Sequence, residues 1–175
     1  RARDIIPILQ QKGDLDILVS GIQADVELPY PVKYKFKGLS FIFGKKGGID
    51  LLATYRKSNI KKLYSEIKSL PIENYDLVIN DFEPVSAWAC WLRRKSCIGL
   101  SHQNAVLHPS APKPDISDLL GKLILKRDAP ANIKYGFNFK ASLPTIFPPV
   151  IRAAIRNAEP TVKPHYTVYL PAYSN

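Results

Sequence analysis

The chain contains no methionine and only two cysteines, Cys90 and Cys97, among its 175 residues. Two cysteines cannot build a disulfide framework or a four-cysteine zinc site. The missing methionine, together with an arginine at position 1, suggests a piece of a longer protein. No run approaches the roughly 18 consecutive apolar residues that a membrane-crossing helix needs. The opening Arg1-Ala2-Arg3-Asp4 is charged and precedes no apolar h-region, so a reducing, cytoplasmic setting is expected. There is no GxGxxG, GxxxxGK[ST] or GxSxG stretch, which removes the simplest phosphate cradles and the nucleophile elbow. No His, Cys, Asp or Glu pair has ligand spacing, so metal binding is not expected; no cofactor is expected either.

Hydrophobic residues make up 46% and charged residues 23%, a balance that buries a core and argues against extended disorder. A mass of 19.7 kDa suits one domain or slightly more. The formal charge of +10 is unevenly spread. Residues 1–83 hold 13 Lys/Arg against 11 Asp/Glu, whereas residues 84–175 hold 12 against 4. A basic half attracts nucleic acid, an acidic membrane surface or a phosphorylated ligand, or is simply a solvated surface. Its cations are scattered (Arg93-Arg94-Lys95, Lys122, Lys126-Arg127, Arg152, Arg156), and no nucleic-acid motif accompanies them.

Hydrophobic periodicity divides the chain into alternating elements. Ile5, Ile6, Ile8 and Leu9 predict a helix over 4–11 with Gly13 as its left-handed stop, and 16–21 reads as a buried strand. Short alternating pieces at 32–36 and 39–43 precede a glycine-rich loop at 44–48. The longest helical pattern covers 49–70 and ends at Leu70-Pro71. Tyr75 to Asp81 is a buried strand, Glu83-Pro84 opens a helix to Leu92, and Cys97 to Ser101 is the next strand. A proline connector at 109–114, a helix over 116–125, a strand over 133–139, a helix over 150–158 and a strand over 166–170 complete the pattern. Alternating strands and helices predict an α/β fold with a doubly wound, mainly parallel, Rossmann-like sheet.

In such sheets, ligands bind beyond the carboxyl ends of the strands. Asp81 and Glu83 follow one buried strand, and Ser101, His102 and Gln103 close the next. An acid and an imidazole are thus delivered to one rim, the pairing a general base needs. Bland roles stay open: Asp81 can cap the helix at Pro84, and His102 can be a structural histidine beneath a loop. His108 and His165 sit beside prolines and receive no role.

The stretch Asp76-Leu77-Val78-Ile79-Asn80-Asp81-Phe82-Glu83-Pro84, followed by Ile98-Gly99-Leu100-Ser101-His102-Gln103, resembles GT-B glycosyltransferase-related proteins. These are distant relatives of the lipid I N-acetylglucosaminyltransferase and of the UDP-glycosyltransferases. Arg1-Ala2-Arg3 resembles the tail of a family segment in which a glycine-rich turn and a histidine precede the first helix. Tyr166 to Pro171 resembles the first strand of the donor-binding domain. The resemblance implies an acceptor-side domain over 1–160, its first strand missing, and the start of a truncated donor-binding domain over 161–175. It implies metal-independent, inverting transfer from a nucleotide sugar to an acceptor hydroxyl, with lipid-linked acceptors among the candidates. The base would be a histidine before Arg1, oriented by Asp81. His102 would line the acceptor pocket or, alternatively, act as base. Ser101, Gln103, Glu83 and Arg3 would bind substrate. The donor would sit on the second domain, so these residues alone are expected to be inactive. No nucleic-acid partner is expected, and the basic surface suggests peripheral contact with the inner face of the membrane. The alternative is a non-catalytic α/β binding module that keeps a degenerate cleft.

Overall fold

A computed structural model describes residues 1–21, 27–39, 59–111, 119–139, 143–166 and 168. The chain is mixed α/β, with parallel strands in two sheets.

Helix α1 spans Ala2–Gln10 and turns Ile6 inward. Pro7 lies inside it and has no N–H for the Arg3 carbonyl four residues back. The Tyr30 hydroxyl donates to that carbonyl instead, at 3.3 Å. Gly13 is not the left-handed stop that the sequence predicts. The helix gives way at Gln11 in right-handed geometry, and the Lys12 N–H closes a turn onto the Leu9 carbonyl at 2.8 Å. No residue with positive φ is needed there.

Strands β1 (Leu18–Ser20) and β2 (Tyr34–Phe36) pair in parallel with Leu18 opposite Tyr34. β1 is half-buried rather than buried, because among the described residues it has one strand neighbour. The predicted piece at 39–43, apart from Leu39, and the glycine-rich loop lie outside the described residues, as does the first half of the 49–70 helix. Its second half is α2, Ile60–Ser69, capped by the Asn59 side chain accepting from the Lys62 N–H at 2.9 Å. Leu70 ends α2 with extended geometry (ψ 115°), as a residue before proline must.

The larger sheet runs β3 (Val78–Asn80), β4 (Cys97–Ser101), β5 (Ile133–Phe137), β6 (Ile146–Phe147), all parallel and in chain order. Helix α3 (Pro84–Leu92) links β3 to β4; the one-turn α4 (His102–Val106) and α5 (Leu119–Arg127) lie between β4 and β5. Residues 116–118 of the helix predicted over 116–125 are outside the described residues. The predicted helix at 150–158 shrinks to the exposed turn α6, Ala153–Arg156, because Arg152 is still extended (ψ 139°). The terminal strand at 166–170 falls largely outside the described residues.

One core joins both sheets. Val85, Ala89 and Cys90 of α3 meet Ile67, Leu70, Ile72, Val78 and Cys97, and Leu18, Tyr34 and Phe36 of the small sheet pack against them. Val85 is 0% exposed and the two free thiols 1% each, so this cluster is sealed from water. Gly136 brings α4 onto β5: a Cβ there would lie 2.6 Å from the Ala105 nitrogen. Any side chain at 136 would lift α4, and His102 with it, off the strand ends.

The amino ends of the strands carry a closed polar cluster. Asp16 accepts from the Lys33 ammonium and from the Tyr75 hydroxyl, the latter at 2.7 Å. Since Tyr75 gives its proton to Asp16, the Tyr34 hydroxyl donates to Tyr75, at 2.9 Å. The hydrogen bond from Lys33 holds the Asp16 carboxyl below its ordinary value, and that same bond raises the Lys33 ammonium. Burial and then the Tyr34 contact push the Tyr75 hydroxyl far above its usual range.

Candidate functional site

β3 and β4 are parallel neighbours, with Val78 opposite Cys97, so Asp81 and His102 lie on one rim. The turn that carries Asp81 is built by Asn80, which is 3% exposed. Its amide donates to the Glu83 carbonyl (2.6 Å) and the Ser86 hydroxyl (2.9 Å), and its oxygen accepts from the Glu83 N–H (3.0 Å). This brace holds Phe82 at φ 55°, the left-handed region that a bulky residue rarely enters. Backbone strain of this kind persists only where the surroundings enforce it, and it clusters at functional sites.

Asp81 projects from that turn with 48% of its side chain exposed, and its Oδ1 accepts from the Arg1 guanidinium at 2.8 Å. Partial burial raises the Asp81 carboxyl above its ordinary value, against the opposing pull of Arg1. The guanidinium also lies over the Phe137 ring, 5.4 Å from its centre. The main chain of the same residue meets His102, whose Nδ1 sits 2.7 Å from the Phe137 carbonyl oxygen. A carbonyl only accepts, so Nδ1 carries a proton, and in the neutral tautomer this contact selects the lone pair lies on Nε2. Asp81 and His102 are therefore connected through Arg1 and Phe137; the imidazole is oriented by a main-chain carbonyl, and the carboxylate by a guanidinium.

The remaining sequence-derived candidates divide sharply. Glu83 caps α3: its carboxylate accepts from the Val85 N–H, from the Ser86 N–H at 2.8 Å and from the Ser86 hydroxyl at 2.8 Å. Both oxygens are engaged, which makes Glu83 part of the helix terminus. Ser101 is 1% exposed and accepts from the Asn104 N–H at 3.3 Å as the cap of α4, so its hydroxyl faces the helix rather than an open cleft. Gln103 is half-buried, and among the described residues its Oε1 is sealed from water with no hydrogen-bond partner. Arg3 turns away from this group and donates to the Glu27 carbonyl at 2.7 Å.

Asn80, Phe82, Arg1, Phe137 and Asn104 belong to the rim and were not singled out by sequence reasoning. Asn104 clamps α4 by donating to the Gly99 (2.9 Å) and Tyr135 (3.2 Å) carbonyls. Asn80 carried a readable signal: an asparagine three residues before a helix cap is an Asx-turn former. Phe137 carried none, since any residue supplies a carbonyl.

Among the described residues, no group of three His, Cys, Asp or Glu side chains converges as a metal site, and no helix is long and apolar enough to cross a membrane. No family model matches the chain, and neither curated proteins nor solved structures include one that matches it.

Proposed function

We propose that the chain is the acceptor-side, Rossmann-like domain of a GT-B type glycosyltransferase, with the carboxyl rim of β3 and β4 as its acceptor site. The observation that carries this reading is His102: an exposed side chain at a strand end, held through Nδ1 and with no partner at Nε2 among the described residues. Nε2 takes the proton of an acceptor hydroxyl while its oxygen attacks the anomeric carbon of a nucleotide sugar. The bond from that carbon to the nucleoside diphosphate breaks with inversion, and its electron pair leaves with the diphosphate. The Phe137 carbonyl stabilises the imidazolium that forms, the service a carboxylate performs in a Ser-His-Asp triad. Asp81 holds Arg1 at the edge of the same rim. The free thiols in the core fit a reducing, cytoplasmic compartment.

A second reading rests on the Arg1–Asp81 pair. With its carboxylate occupied by a guanidinium, Asp81 orients no histidine among the described residues, as suits a binding module that has lost transfer. Two titrations of residues 1–175 test the proposal. Simple glycosides with free hydroxyls are expected to shift the His102 imidazole resonances, while calorimetry with a nucleotide-sugar panel is expected to show no tight complex. A micromolar nucleotide-sugar complex would place the donor site in this domain and overturn the acceptor assignment. An unmoved His102 across the glycosides would overturn the site.

A further inference from the structure

α4, the element that carries His102, is a single turn of five residues, His102–Val106. A helix that short does not hold itself in water, because so few internal hydrogen bonds cannot offset the ordering of the chain. What fixes it is the sheet beneath. Two glycines open the seat. At Gly136 of β5 a Cβ would strike the Ala105 nitrogen, and at Gly99 of β4 a Cβ would lie 2.9 Å from Asn104 Nδ2. Ala105, the residue that rests on Gly136, is 4% exposed.

The attachment runs through one side chain. The Asn104 carboxamide has two N–H donors and directs one to each strand: Nδ2 lies 2.9 Å from the Gly99 carbonyl oxygen and 3.2 Å from that of Tyr135. Its main-chain N–H donates to the Ser101 hydroxyl at 3.3 Å, so Asn104 is bonded to the middle of β4, to its end and to β5. The same strand β5 ends in Phe137, whose carbonyl accepts from His102 Nδ1 at 2.7 Å. Tyr135 and Phe137 are two residues apart in an extended strand, so their carbonyls point to one edge. α4 thus docks on β5 at two main-chain oxygens, one holding the helix and the other the imidazole.

We propose that Asn104 is the positioning residue of His102: by tying α4 to one carbonyl on β4 and one on β5, it keeps the imidazole in reach of Phe137 and so protonated at Nδ1. Two residues apart on a helical turn, the two side chains face different directions, so Asn104 acts on the ring through the backbone of α4. Without this tie the turn is free to lift and the contact between Nδ1 and the carbonyl opens. The ring then returns to the form protonated at Nε2, which an imidazole in water favours. What the lone pair on Nε2 does for a hydroxyl rests on the transferase reading; where the proton sits does not.

Asn104→Asp is the sharpest test. It keeps the shape of the side chain, removes both N–H donors and turns a carboxylate toward two carbonyl oxygens. Long-range nitrogen–proton correlation spectra of residues 1–175 at alkaline pH read the His102 tautomer with no sugar present. The expected result is a fall of about tenfold in the ratio of Nδ1-protonated to Nε2-protonated ring, the equivalent of one net hydrogen bond. Asn104→Ser keeps a single donor and is expected to lie between that variant and the wild type; it carries the test if the aspartate variant does not fold. Tyr75→Phe, at the amino end of the strands, is the control, expected to lower stability and leave His102 as it was. An unmoved tautomer in a folded Asn104 variant would make the residue a plain clamp and overturn the proposal. So would an equal shift in Tyr75→Phe, which would tie the tautomer to stability in general. If the tautomer responds as expected while glycosides leave His102 unmoved, the transferase reading fails and the positioning role stands.

Discussion

The two ends of the parallel strands treat their polar side chains in opposite ways. At the amino end, Asp16, Lys33, Tyr75 and Tyr34 satisfy one another in a closed chain of hydrogen bonds. At the carboxyl end, and among the described residues, His102 uses one ring nitrogen on Phe137 and leaves the other without a partner, Gln103 keeps an unpartnered oxygen, and Phe82 is held in a strained conformation. A network that consumes its own donors and acceptors can only stabilise. One with unused valences on the same rim as a braced, strained turn can bind. Charge and hydrogen-bonding residues occur at both ends, so residue type alone does not separate structure from site; saturation does.

The brace of the open end should cost the most to remove. Asn80→Ala deletes three hydrogen bonds in a buried turn, frees Ser86 and Glu83 from their partner, and leaves Phe82 without its restraint. A loss of about 4 kcal/mol is expected from chemical denaturation, since each orphaned buried group costs roughly 1–3 kcal/mol. A loss below about 1 kcal/mol would mean that the turn holds itself.

Asp128 is the exception that sharpens the contrast. It sits toward the amino end, 9% exposed, with Oδ1 unpartnered. Burial, and then the charge of Glu83, push its carboxyl up to about 6 from 3.8. The folded state thus keeps the proton longer than the unfolded chain does. Stability contributed by this group is full below the unfolded value and falls as pH rises toward about 6, by about 3 kcal/mol. Asp128→Asn should flatten that part of the pH–stability curve and stabilise the protein at neutral pH. If stability were to rise over the same window in the wild type and not in the variant, Asp128 would be a paired carboxylate after all.

Within the saturated network, Tyr75→Phe removes the hydroxyl that links Asp16 to Tyr34. The expected cost is about 1.5 kcal/mol, read as a shift in denaturation midpoint. A neutral result would show that Lys33 alone satisfies Asp16. The smallest effect belongs to Asp81→Asn: the Arg1–Asp81 pair is half exposed, and such pairs contribute about 0–1 kcal/mol. Folding should persist, which makes this variant a clean probe of binding at the rim.

Much of the framework was legible. The order of strands and helices from Tyr75 to Ser101 follows from apolar runs bounded by Pro84 and the basic turn at Arg93-Arg94-Lys95, and that segment forms β3, α3 and β4. Element lengths were less readable: Pro7 sits inside a helix because a tyrosine 23 residues on supplies the missing donor, a compensation that local patterning cannot show. At the site, Asp81 and His102 could be placed on one rim by strand order alone. Their partners could not. Arg1 reaches Asp81 across 80 residues, and the Phe137 carbonyl is a main-chain group with no signature in the sequence. The roles of Glu83 and Ser101 turned on which way a hydroxyl or carboxylate points, and both point into helix termini.

The open end stands or falls with the tautomer of His102. The chain has an internal contrast: His108 Nδ1 accepts from the Ser110 N–H at 3.2 Å, so its proton sits on Nε2. Long-range nitrogen–proton correlation spectra of the imidazoles, taken at alkaline pH, read both rings at once. The expected result is a protonated Nδ1 and a bare Nε2 for His102, with the reverse for His108. A His102 ring protonated at Nε2 would contradict the hydrogen bond to Phe137 and remove the open proton acceptor from the rim.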